Sequence, residues 1–118
     1  MMRTTYYTML AQSRCDRYTK FEANFAHWPT IEQILQVAEA EIQRLTPDGE
    51  GDYGGDACTT EDDIGYIRRC LEFLRLVTPE QLQDPMPDNA ARRVIAVRVA
   101  GVEIGSITFT PYHVYRNT

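Results

Sequence analysis

The amino-acid sequence predicts an α+β fold: a two-layer sandwich in which an antiparallel four-stranded sheet carries two main helices on one face. Three observations predict it. Strand-like segments lie near both ends of the chain, while apolar residues recur at spacings of three and four through its middle. The two segments of each terminal pair are separated by short turns, so each pair forms a hairpin. The element order is then β-β-α-α-β-β, with a short helical turn before the third strand. At 118 residues, the whole of 1–118 is expected to be a single domain with its own core.

The first strand is TTYYTMLAQS (4–13), β-branched and aromatic at its start. A polar turn, SRCD, leads to YTKFEANF, where Phe21, Ala23 and Phe25 alternate with Lys20, Glu22 and Asn24. Trp28-Pro29-Thr30 ends the alternation. Thr30 and Gln33 have the spacing of a capping box, and Ile31, Ile34, Leu35, Ala38, Ile42 and Leu45 form one apolar stripe behind it. Glu32, Gln36, Glu39 and Gln43 occupy the solvated face. Pro47 and four glycines make a loop over 46–59. A second helix is expected from Thr60, with Ile64, Ile67, Cys70, Leu71, Phe73, Leu74 and Val77 facing the core. Gly65 weakens it by up to ~1 kcal/mol relative to Ala. Thr78-Pro79-Glu80-Gln81 repeats the start signal, with Pro at the first helical position. DPMPDN (84–89) is a linker. RVIAVRV (93–99) is apolar on both sides and is expected in the centre of the sheet. Ala100-Gly101 turns the chain into its partner, VEIGSITFT (102–110). Pro111 is expected to end regular pairing or to mark a sheet edge.

Composition narrows the function classes. The net charge is −5, with pI about 4.9, and it is unevenly spread. Residues 45–67 hold seven acidic and no basic residues; the rest holds ten acidic against twelve basic. The chain is a nearly neutral body with one acidic segment. A direct nucleic-acid binder needs a basic footprint, and the Arg92-Arg93 pair does not supply one. No run of 18 apolar residues suggests a membrane span, and MMRTTYYTMLAQSR has no continuous apolar core of a secretory signal. The cytosol is the expected compartment. Cys15, Cys58 and Cys70 are an odd, widely spaced set, which fits free thiols better than a disulfide framework. Lys20 is the only lysine against eleven arginines. Arginine pairs persistently with carboxylates, although an Arg-rich coding bias produces the same count.

Several motif-like stretches lack the context their chemistry needs. Gly49-Glu50-Gly51-Asp52-Tyr53-Gly54 matches G-x-G-x-x-G, but it follows a helix and its Glu50 and Asp52 repel phosphate. Asp48, Glu50, Asp52 and Asp56 occupy positions 1, 3, 5 and 9 of a calcium loop, yet Tyr53 and Thr59 stand at positions 6 and 12, where a glycine and a bidentate glutamate are needed. No metal and no cofactor is expected. The nucleophile candidates are Cys15, Cys58 and Cys70, and the bases are His27 and His113. Cys70 lies on a core stripe, and the acids around Cys58 disfavour its thiolate. No catalytic residues are assigned.

The acidic stretch remains. Glu61, Asp62 and Asp63 are expected in the first turn of the second helix, where its dipole favours negative charge by about 0.3–1 kcal/mol each. Asp48, Glu50, Asp52 and Asp56 have no such explanation. The reading this supports is a small acidic binding protein that engages and inhibits a basic, nucleic-acid-handling protein, in the manner of anti-CRISPR or nuclease-immunity inhibitors. Its contacts would be those seven carboxylates, with Tyr112, Tyr115 and Arg116 of PYHVYRN as aromatic and arginine contacts. In extended chain Asp48, Glu50 and Asp52 lie about 7 Å apart, roughly half the charge density of one DNA strand. Close mimicry would therefore need neighbours such as Glu32 and Glu39. The alternative reading is an assembly protein that forms a homodimer or larger oligomer through a sheet edge, its acidic loop serving solubility.

Overall fold

The computed structural model describes residues 2–46, 57–87 and 89–117. Strands β1 (Met2–Ser13) and β2 (Lys20–Phe25) come first, then helices α1 (Ile31–Leu45) and α2 (Ala57–Leu74). A 3-10 turn at Pro79–Leu82 leads to β3 (Arg93–Val99) and β4 (Val102–Arg116). The strands form one antiparallel sheet in the order β2-β1-β4-β3. The α+β sandwich expected from the sequence is the fold observed.

Local chemistry sets the boundaries. In the β1–β2 turn, Asp16 accepts hydrogen bonds from the Tyr18 amide (2.9 Å) and the Thr19 hydroxyl (3.0 Å). These bonds favour the charged carboxylate and hold its pKa below the ordinary 3.8. The capping box of α1 is formed: Thr30 Oγ1 accepts from the Gln33 amide (3.2 Å), and Gln33 Oε1 accepts from the Thr30 amide (3.0 Å). Such a cap contributes roughly 1 kcal/mol. Gln81 Oε1 likewise accepts from the Thr78 amide at 2.9 Å. Ala100 (φ 52°) and Gly101 (φ 79°) both take left-handed backbone in the two-residue β3–β4 turn, the conformation that matches strand twist.

The register defines two sheet faces. Tyr7, Met9 and Ala11 of β1 pair with Phe25, Ala23 and Phe21 of β2 and with Pro111, Phe109 and Ile107 of β4. This is the face under the helices. Thr4, Tyr6, Thr8 and Leu10 alternate onto the opposite face. Helix α2 crosses the strands on the covered face. Its Ile67 lies beside β2. The Cys70 thiol donates to the Ala11 carbonyl of β1 (3.8 Å), and the Phe73 ring lies over Gly105 of β4. Trp28 closes one side of the core. It meets Tyr7 edge-on (5.4 Å between centroids) and Phe109 at 4.5 Å, and its indole N–H donates to the Leu82 carbonyl (2.8 Å). Each aromatic pair adds about 0.5–1.5 kcal/mol beyond area burial.

Three expectations are corrected. First, β3 is an edge strand, not a central one. Only Ile95 and Val97 of its apolar residues are buried, and Val94 is 53% exposed, so its second apolar face is a surface. Second, of the two roles expected of Pro111 the end of pairing is not seen, since β4 continues to Arg116, paired with β1 throughout, while the sheet edge is. Proline is tolerated because β3 pairing ends at Phe109, which makes β4 an edge on that side from there on. Third, α2 begins at Ala57, three residues before Thr60, so the expected 46–59 loop overruns the helix start. The remaining loop residues, 47–56, lie outside the described residues.

A Cβ added at Gly105 would stand 2.8 Å from three carbons of the Phe73 ring. The ring is buried and cannot swing clear. Gly105→Ala is therefore expected to destabilise by about 1–3 kcal/mol. The check is a lower urea midpoint with an unchanged slope; an unchanged midpoint would contradict this packing.

Candidate functional site

The β2 edge is the sheet boundary next to both helices. An open groove of about 450 Å³ runs along it. Its sheet wall is Lys20, Phe21, Glu22, Ala23 and Asn24, five consecutive residues. The helical wall is Val37, Glu41, Arg44 and Leu45 from α1 with Asp63, Tyr66 and Ile67 from α2. The local sequence explains both walls. Val37 lies off the main α1 stripe and is left exposed, so that side of α1 faces outward with apolar character. Ile67 is on the α2 core stripe and is buried, which carries Asp63, one turn earlier on the same side, to the rim.

The charges along this groove are uneven. Arg44 is held by Glu41 in an ion pair, and that hydrogen bond keeps the Glu41 carboxyl below its usual range. Among the described lining residues this leaves Asp63 on the helical wall, and Glu22 with the remaining cation Lys20 along the strand rim, where both project to the open-face side of β2. Glu61 and Asp62 are exposed just before Asp63. The chain leaves α1 at Leu45 and is back in helix by Ala57. Leu45 and Asp63 both line the groove, so the acidic segment is tethered at the groove on both sides.

The predicted contact residues fare differently. Asp48, Glu50, Asp52 and Asp56 lie outside the described residues. Glu61, Asp62 and Asp63 are exposed on α2, but they are its fifth to seventh residues rather than its first turn. The dipole effect falls off within the first turn, so it does not account for them. Glu32 is not a neighbour of the segment: it sits in the first turn of α1, about 20 Å from Leu45 along the helix. Glu39 pairs with Arg75, the residue after α2, at 3.5 Å, on the cleft between the two helices. Their place is taken by Glu22 and Glu41. Sequence reading passed these over, because alternation placed Glu22 on a solvated strand face without indicating which strand was an edge.

Tyr112, Tyr115 and Arg116 do not form one patch. Strand alternation puts Tyr112 and Arg116 on the open sheet face and Tyr115 on the other. Tyr112 stands over Tyr6 (6.4 Å between centroids) and shares a shallow depression with Tyr6, Thr8 and Asn24. His113 Nδ1 is hydrogen-bonded to the Thr5 hydroxyl across the strands (3.0 Å).

The nucleophile candidates are also separated. Cys15 follows Ser13 at one end of β1, while His113 pairs with Thr5 near the other, about 26 Å away along the strand. His27 follows Phe25, which pairs with Tyr7, roughly 20 Å from Ser13. The Cys58 side chain lies outside the described residues. Cys70 is fully buried, and burial pushes its pKa to about 12. Among the described residues there is no cluster of three or more metal-ligating side chains, and no helix is long and apolar enough to cross a membrane.

Comparison with protein-family models, with curated proteins and with solved structures returns no match. Function is therefore argued from the groove and its charges.

The burial of Cys70 has a direct consequence. Iodoacetamide at neutral pH is expected to leave it unmodified in the native protein while alkylating the exposed Cys15. Peptide mapping reads this, with the urea-unfolded chain as the control in which both react. Rapid native modification of Cys70 would contradict the buried position.

Proposed function

We propose that this protein is a small acidic, non-enzymatic binding protein that engages and inhibits a basic, nucleic-acid-handling protein. The observation that carries the proposal is segregation of charge at a groove. Seven carboxylates and no cation fall between residues 45 and 67, on a body that carries a slight excess of cations. That segment meets the groove at Leu45 and again at Asp63, where Glu22 lines the strand rim.

Seven like charges in one segment repel one another, and no internal partner accompanies them in sequence. A partner lined with Arg and Lys would relieve that repulsion. Complementary fields of this kind raise encounter rates and suppress wrong partners. They do not require the carboxylates to match phosphate spacing, so the low charge density of the segment is no obstacle. An acidic protein seated in a groove built for nucleic acid blocks that groove, which makes inhibition the consequence of binding.

A specific observation favours a second reading, self-assembly through a sheet edge. β2 pairs with β1 only as far as Tyr7↔Phe25, and β3 pairs with β4 only as far as Arg93↔Phe109. Met2–Tyr6 and Tyr112–Arg116 therefore continue as a two-stranded ribbon with no third strand among the described residues. Tyr112 (58%) and Tyr115 (59%) are exposed on its two faces. Such a ribbon can pair with a second copy.

The two readings are separated by affinity capture from nuclease-treated lysate at low and high salt, using the parent and a variant with Asp48→Asn, Glu50→Gln, Asp52→Asn and Asp56→Asn. The variant is expected to fold with stability within about 0.5 kcal/mol of the parent, since the substitutions keep the side-chain size and relieve like-charge repulsion along the segment. The parent is expected to retain a basic nucleic-acid-handling protein and to release it at high salt; the variant is expected to lose it. Equal capture by both, or a concentration-dependent dimer with no partner, would move the function to the ribbon.

A further inference from the structure

We propose that the outer edge of β2 receives an extended arginine- or lysine-bearing segment of the partner as an added strand. The inference rests on the reading of a basic protein partner and states how that partner is held. Four observations on the groove support it.

β2 is at the sheet boundary, and among the described residues no strand pairs with its outer side. Its outward amides and carbonyls are a template for another chain. The groove runs beside Lys20 to Asn24 without interruption, so a strand of five or six residues fits alongside. Alternate side chains of that strand would enter the groove toward Val37, Tyr66 and Ile67, which offer apolar contact. The others would lie on the open face beside Lys20, Glu22 and Asn24.

Charge selects the segment and its register. With Glu41 already held by Arg44, Glu22 and Asp63 are, among the described lining residues, the carboxylates left to meet a cation. Opposite charges across a strand pair are favourable and like charges are not. A basic residue is therefore favoured opposite Glu22 and disfavoured opposite Lys20. An arginine one pair further on, opposite Asn24, reaches the depression of Tyr6 and Tyr112, where a guanidinium stacks on a tyrosine face. The other sheet edge, β3, carries Arg93 and Arg98 beside Arg92 and repels the same segment. Main-chain pairing supplies affinity in this mode, and the side chains supply selection.

The test uses a short synthetic peptide alternating arginine with valine. Two companions are needed: the same peptide with glutamate for arginine, and the arginine peptide N-methylated at alternate backbone amides. N-methylation removes strand pairing and leaves the charge untouched. Binding to the full chain is followed by amide NMR, with Glu22→Lys as a second variant whose substitution is exposed and does not threaten folding. The arginine peptide is expected to bind and to perturb the amides of Lys20–Phe25. The glutamate peptide is expected not to bind. N-methylation and Glu22→Lys are each expected to weaken affinity roughly tenfold or more. Equal binding of the N-methylated peptide would overturn the added strand while leaving electrostatic capture of a basic partner standing. Failure of the arginine peptide to bind would overturn the inference, and loss of partner capture as well would show that the basic-partner reading had fallen. Perturbation of the β2 amides by increasing concentration of the protein alone would assign the edge to a second copy, and would also overturn it.

Discussion

The pairing of β1 with β4 is the constraint on which the rest of the structure depends. It runs without a break from Met2↔Arg116 to Ser13↔Gly105, joining the two ends of the described chain. Closing so long a loop costs conformational entropy, though that cost grows only logarithmically with length, and a continuous ladder repays it along its whole run. Everything else attaches to this pair. β2 hangs on the outer side of β1 and β3 on the outer side of β4. Their covered face gives α2 a surface to cross. Gly105, at the last rung of the ladder, lets Phe73 sit directly on the sheet. The ladder also outruns the shorter outer strands, which is why the ribbon exists and why β2 ends as a short boundary strand beside α1.

Much of this was legible in the sequence, for identifiable reasons. The start of α1 was, because Thr30 and Gln33 sit three apart in front of a stripe of period three to four, and both side chains make the bonds that spacing implies. The alternation of Phe21, Ala23 and Phe25 identified β2 and its buried face. What was not legible depends on neighbours rather than on period. An apolar run such as RVIAVRV tells how many of its residues are apolar, not how many strands flank it, so β3 was placed centrally when it lies at an edge. Pro111 was expected to end regular pairing or to mark a sheet edge. Pairing with β1 runs on through it, and the edge is there: β3 has ended at Phe109, so β4 has no neighbour on that side from Pro111 onward. The start of α2 was set too late, since the Ala57-Cys58-Thr59 stretch carries no apolar period.

The candidate site shows the same division. Uneven charge is a property of composition, and the seven carboxylates stood out before any fold was known. The groove is a property of packing between β2, α1 and α2, and no spacing within one element announces it. Placing Asp63 at its rim alters the standing of the acidic residues. Glu61, Asp62 and Asp63 no longer have the helix dipole as a sufficient reason to be there, and Glu39, once a candidate neighbour, is engaged with Arg75. Glu22 joins them from the strand side. The proposed contact is thus a strand edge with carboxylates on either side of it, Asp63 on the helical wall of the groove and Glu22 on the open face, rather than an acidic loop alone.

The most direct measurement is hydrogen exchange on the protein free and bound to its captured partner, compared segment by segment. Exchange reports the opening of each backbone hydrogen bond, so a contact that covers or pairs a strand edge slows it locally. The account expects slowing confined to Lys20–Phe25, to the end of α1 and to residues 45–67. Slowing at Met2–Tyr6 and Tyr112–Arg116, with the β2 groove unchanged, would contradict it and would make the ribbon the working surface.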